Sequence, residues 1–190
     1  MPILRLLAML TACILAPLAS ADAAVDDPLK AEVIAAVDAQ AEALANLSDE
    51  IWGYAEIAFR ESQSADALVR HAEAHGFTVT RGTGGIPTAF VAEYGSGKPV
   101  IGIMGEFDAL PGLSQAAVPE RSPLEEGAPG HGCGHNVFGA ASLGAAIAIK
   151  ELIESGELKG TIRYYGTPAE EKFFGKLWMI RDGAFEGVDV

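Results

Sequence analysis

The sequence predicts an α/β fold, a layered sheet with helices on both faces, and three observations carry that prediction. Segments with a helical apolar period alternate with short β-branched runs bounded by glycine and proline. A long loop leaves the end of one such run and enters a helix rich in alanine and glycine. Hydrophobic residues make up 49% of the 190 residues, enough to build a sizeable core.

Taken in order, the chain opens on one basic residue, Arg5, then an apolar run, then small residues at Ala19-Ser20-Ala21 and Ala21-Asp22-Ala23. That order predicts a secretory signal peptide over residues 1–23, and hence a periplasmic or secreted protein with no membrane attachment after cleavage. Lipid attachment at Cys13, in Leu10-Thr11-Ala12-Cys13, is the competing reading, as is a retained anchor, against which Pro17 and the short apolar length speak. From Pro28 to about Glu61 the spacing of Val33, Val37, Ala41, Leu44, Leu47 and Ile51 is helical, with a second start at Ser48-Asp49. Ser64 to His75 reads as a helix closed by Gly76. The runs FTVT, TAFVAEY and PVIGIMGEF read as strands. A loop from Asp108 then leads into the helix NVFGAASLGAAIAIKELIESG, followed by the strand GTIRYYGT, the short helix GKLWMIRDGAF and the start of a strand, VDV.

Charge and cysteine content exclude some functions. A net charge of -13, without clustered lysine or arginine, argues against a nucleic-acid partner. Signal cleavage removes Cys13 and leaves Cys133 as the single cysteine, so no internal disulfide is expected and that thiol needs another explanation.

The chemistry gathers where strands end, the usual ligand edge of an open α/β sheet. Glu106 and Asp108 follow VIGIMG, Glu170 and Glu171 follow TIRYYGTPA, and Cys133 and His135 stand between those strands at the mouth of a helix. Two residues apart, Cys133 and His135 project to the same side of an extended backbone, and thiolate plus imidazole suits zinc or a similar ion. Adjacent carboxylates repel unless a cation or proton sits between them, so one of Glu170 and Glu171 can bind a metal while the other faces water. Each cluster also has a plain alternative: an inert buried thiol, a solvated Glu-Glu-Lys turn, a turn aspartate before Ala109. His131 reads as a supporting or structural residue.

Together, GEFDALPGLSQ, PGHGCGHNVFGAASLGAAIAIKE, GTIRYYGTPAEE and GKLWMIRDGAFEGVDV resemble peptidase family M20, and most closely its amidohydrolase branch, in the aminobenzoyl-glutamate subgroup. The resemblance spans most of residues 24–190. It implies a metal-dependent hydrolase that cleaves the amide bond of N-acyl amino acids, aryl-acyl ones included, with carboxypeptidase or dipeptidase activity as the alternative. It implies Cys133, His135 and Glu171 as metal ligands, Glu170 as general base and Asp108 as support for the metal site. Two zinc or manganese ions per complete site, a small-molecule substrate and a homodimer or heteromer follow from the same resemblance. Relatives carry further ligand histidines, a lid and dimerisation domain and a C-terminal part after the segment matching VDV. Residues 24–190 are therefore expected to be the N-terminal part of a longer catalytic domain, and on their own to turn over no substrate. A non-catalytic metal- or ligand-binding protein, and a thiol nucleophile built from Cys133 with His135 as base, remain alternatives.

Overall fold

A computed structural model describes residues 28–190. The signal-peptide expectation and the alternatives at Cys13 and Pro17 lie outside the described residues.

Three helices come first: α1 (Pro28–Ala39), α2 (Ala41–Tyr54) and α3 (Ser62–Ala74). The break between the first two falls at Gln40 rather than at Ser48-Asp49, which lies inside α2. Ser48 is not used as a cap because its hydroxyl accepts the side-chain amide of Asn136 at 2.9 Å, a tertiary use that sequence cannot reveal. Residues 62–74 form the next helix with Gly76 just beyond it in the left-handed region, as the pattern predicts.

The sheet has four strands, β1 (Thr78–Arg81), β2 (Phe90–Ser96), β3 (Val100–Gly105) and β4 (Gly160–Gly166), in the order β1-β2-β4-β3. β1 with β2 and β2 with β4 are antiparallel, whereas β3 and β4 run parallel and are joined through α4 (His135–Ser155). Parallel neighbours require such a crossover. The short helices α5 (Glu170–Phe173) and α6 (Gly175–Arg181) complete the chain. Residues 188–190 run along the open side of β3, where Asp189 donates its N–H to Val100 O at 2.8 Å and Gly102 donates to Val190 O at 2.8 Å.

Period two along β4 divides the core. Ile162 and Tyr164 enter a large cluster with Leu68, Phe90, Phe107, Leu143 and Ile147, covered by α2, α3 and α4. Tyr165 points to the opposite face, into a smaller cluster with Ile86, Ala89 and Met179 of α6. Helices thus cover both faces, as the sequence predicts. By length and composition α4 could cross a membrane, but it is the central core helix here. Gly139 allows its close approach to the sheet: a Cβ there would stand 2.8 Å from the carbonyl oxygen of Glu106.

Register then decides where the chemistry sits. Gly105 pairs with Gly166, so residues 106–108 and 167–171 leave the sheet at one edge. The long loop returns to that edge because Leu110 and Gly130 exchange both backbone hydrogen bonds at 3.0 Å. All three sequence clusters therefore meet.

Candidate metal centre

His135 is the first residue of α4 and is 4% exposed. Gly134 before it has φ 83°, a left-handed turn that suits glycine and swings the chain from the loop into the helix. The side-chain convergence expected of an extended Cys-x-His backbone is real, but a turn and a helix start produce it, not a strand.

One edge of the imidazole is fixed. Nδ1 lies 3.1 Å from both the backbone carbonyl oxygen and Oδ1 of Asp108. Both partners are acceptors, so Nδ1 carries a proton, and Nε2 is the nitrogen whose lone pair a metal ion would take in exchange for a proton. Asp108 is 1% exposed, and its other oxygen accepts the backbone N–H of Glu171 at 3.0 Å. A single buried carboxylate therefore aligns both an imidazole and the turn bearing the paired glutamates. Burial alone would raise the Asp108 pKa, but the hydrogen bond from His135 and the amides of Glu171 and Glu170 outweigh it and hold the group below the usual aspartate value.

Around Nε2 stand three more acids. Glu106 Oε2 is 2.9 Å away, and Glu170 Oε2 and Glu171 Oε1 are each 3.9 Å away. The ligand atoms of Cys133, His135 and Glu171 lie within 4.8 Å of one another, and those of Glu106, His135 and Glu170 do likewise. All five residues expected from the sequence are therefore brought together: Cys133, His135, Glu171, Glu170 and Asp108. Cys133 itself is exposed, which removes the alternative of a thiol packed in the apolar interior. His131 is kept apart from the cluster, with Nε2 at 3.1 Å from the carbonyl oxygen of Ile51, the structural role expected of it.

The electrostatics favour a cation. Burial opposes charge on His135, but Asp108, Glu106 and Glu171 outweigh it and raise its pKa above the usual histidine value. The Cys133 thiol is pushed up by its hydrogen bond to Glu171, then by burial and the surrounding carboxylates. Glu171 Oε1 is buried without a hydrogen-bond partner, a costly state that a bound ion would relieve. A thiol, an imidazole and carboxylates with one orphaned oxygen fit a divalent metal ion.

Three residues of the surroundings were not singled out as site residues by sequence. Glu106 joins the cluster and also pairs with Lys176 of α6. Its signal was present, since Glu106 and Asp108 stand at alternate positions beyond β3. Lys176 and the fully buried Glu61 reach the area only through tertiary folding, and nothing in their local sequence marks them.

Residues 102–190 match the family described as Peptidase family M20/M25/M40. One of the subunits of the p-aminobenzoyl-glutamate hydrolase of Escherichia coli (strain K12) is 46% identical over 155 residues, which cover 81% of this chain and 32% of that protein. The Xaa-Arg dipeptidase of Mus musculus is 32% identical over 174 residues, 85% of this chain and 37% of that protein. Among solved structures, the Bacillus subtilis YXEP protein, described as a dinuclear metal binding peptidase from the M20 family, superposes with a TM-score of 0.66 at 28% identity, covering 84% of this chain and 41% of that one. The chain spans about a third of the length of the curated relatives it matches.

Proposed function

Because the chain carries a peptidase family M20 domain, we propose that it contributes the metal-binding half of an amidohydrolase site that cleaves N-acyl amino acids, with p-aminobenzoyl-glutamate as the first substrate to test. The observation that carries this reading is the meeting of the Cys133, His135 and Glu171 ligand atoms, with the His135 tautomer fixed by Asp108. The name of the Escherichia coli relative supports the substrate class.

In this reading Cys133, His135 and Glu171 hold the metal, with Glu106 beside them as a fourth donor. Such an ion, when bound, acidifies water and polarises an amide carbonyl. Glu170 is 38% exposed, so it can reach both a ligand and solvent while staying beside His135. It accepts the proton of the attacking water and passes it to the leaving amine nitrogen. Glu171 is less suited to that task, because its side chain is less exposed than that of Glu170 and its Oε1 is buried. Zinc or manganese would each accept these ligands, and the dinuclear description of the Bacillus subtilis neighbour supports a second ion in the complete site. The sequence of residues 1–23 supports an exported enzyme, and the description of the Escherichia coli relative as a hydrolase subunit supports a multimer.

The test uses the full-length polypeptide supplied with zinc or manganese, with release of p-aminobenzoate as the readout. Chelation abolishes turnover, and Glu170→Gln lowers kcat by about 10²-fold or more while leaving the metal content unchanged. Turnover that survives chelation but not thiol alkylation would instead establish Cys133 as a nucleophile. The dipeptidase reading, supported by the Mus musculus relative, predicts faster cleavage of a dipeptide ending in arginine than of the aryl amide.

A further inference from the structure

Glu61 is a fully buried acid with no part in the chemistry above: it is 0% exposed and precedes α3. Placing a carboxyl there is costly unless its oxygens are engaged. They are, and by groups far apart in sequence. Oε1 accepts the backbone N–H of Ala169 at 2.9 Å, across 108 residues, and Oε2 accepts the Thr88 hydroxyl at 3.3 Å.

Ala169 is an unusual residue to hold. It is buried, and its backbone is left-handed, with φ 59° and ψ 37°, a region that costs an alanine roughly 1–2 kcal/mol. Ala169 stands directly before Glu170 and Glu171, and its carbonyl oxygen accepts the N–H of Phe173 at 3.2 Å and of Gly175 at 3.3 Å. Its peptide therefore sets the direction in which the glutamate pair leaves β4. Glu61 is itself held from behind. Glu56 accepts the N–H groups of Gln63 at 3.1 Å and Ser64 at 2.8 Å, and its own carbonyl oxygen takes the N–H of Ala109 at 2.8 Å, next to Asp108.

We propose that Glu61 is a positioning residue, whose carboxyl clamps the Ala169 peptide in its left-handed turn and so aims Glu170 and Glu171 at His135. It acts as a fixed acceptor at a defined distance, and its charge is secondary. The inference rests on the metal-site reading of Glu171.

The contrast between two variants tests it. Glu61→Gln keeps an acceptor oxygen at the same reach, whereas Glu61→Asp keeps the acid but draws it back by one methylene. Cobalt(II) binding to the protein is titrated through the thiolate-to-cobalt absorption of Cys133, with far-UV circular dichroism confirming that each variant is folded. Glu61→Gln should bind within about threefold of the parent, and Glu61→Asp should bind about tenfold or more weakly, the usual range for residues that orient ligands. Adding Ala169→Gly to Glu61→Asp should recover part of the loss, because glycine adopts the turn without a clamp. A folded Glu61→Asp variant that binds cobalt like the parent overturns the proposal, as does a Glu61→Gln variant that is as weak as Glu61→Asp. Failure of the parent itself to bind cobalt overturns the metal-site reading first, and is thereby distinguishable.

Discussion

Asp108→Asn is the substitution from which most can be learned, because it changes hydrogen-bond polarity and leaves shape almost untouched. In the parent, one Asp108 oxygen faces His135 Nδ1 and the other faces the N–H of Glu171. Both neighbours donate. An asparagine offers one acceptor oxygen and one donor NH2, so it can satisfy only one of them. If its NH2 faces His135, that N–H is left to the Asp108 backbone carbonyl alone or the ring reverses its tautomer, which protonates Nε2 and removes the metal's lone pair. If its NH2 faces Glu171, a buried amide is orphaned and the glutamate turn shifts. An unmade hydrogen bond of this kind costs about 1–3 kcal/mol. At ~1.4 kcal/mol per tenfold, metal affinity should fall between about 5-fold and about 150-fold, and the lost negative charge acts in the same direction. Competition between the protein and a chromophoric chelator for zinc at fixed pH measures the ratio, with circular dichroism as the control for folding. A folded Asp108→Asn protein whose zinc affinity lies within twofold of the parent would refute the claim that Asp108 fixes the ligand geometry.

Two further predictions address the thiol and the buried acid. Cys133→Ser should abolish the thiolate-to-cobalt band and weaken metal binding, yet alter unfolding free energy by no more than about 0.5 kcal/mol, because Cys133 is exposed; a large loss of stability with unchanged metal affinity would make it a packing residue. Burial raises the Glu61 pKa from 4.5 to about 7, despite three backbone amides and with a contribution from Asp108. A raised acid contributes stability that is complete below its unfolded value near pH 4.5 and is lost as pH rises through about 7. The shift corresponds to an upper limit of ~3 kcal/mol. The raised His135 pKa also makes stability fall as pH rises, so the comparison with Glu61→Gln isolates the Glu61 contribution: urea unfolding at pH 5 and pH 8 should show a smaller difference in the variant, and equal differences would contradict it.

The local patterns of the sequence determined most of the elements and their order, but not the short helix α5, and VDV, read as the start of a strand, lies beside β3 without forming a regular strand. Apolar period, glycine and proline placed every strand and the ends of α3 and α4 to within about two residues, because those signals act over a few neighbours. They also determined which polar residues follow strand ends, and so that Asp108, Cys133, His135, Glu170 and Glu171 could share one edge. Tertiary structure decided the rest. The helix break moved to Gln40 because Ser48 is committed to Asn136, 88 residues away. Glu106 entered the cluster because β3 and β4 end in register, and Glu61 became part of the site's support because a left-handed Ala169 turns its N–H toward it. Hydrogen bonds between distant residues exist only once the sheet is assembled, and no period or spacing along the chain encodes their partners.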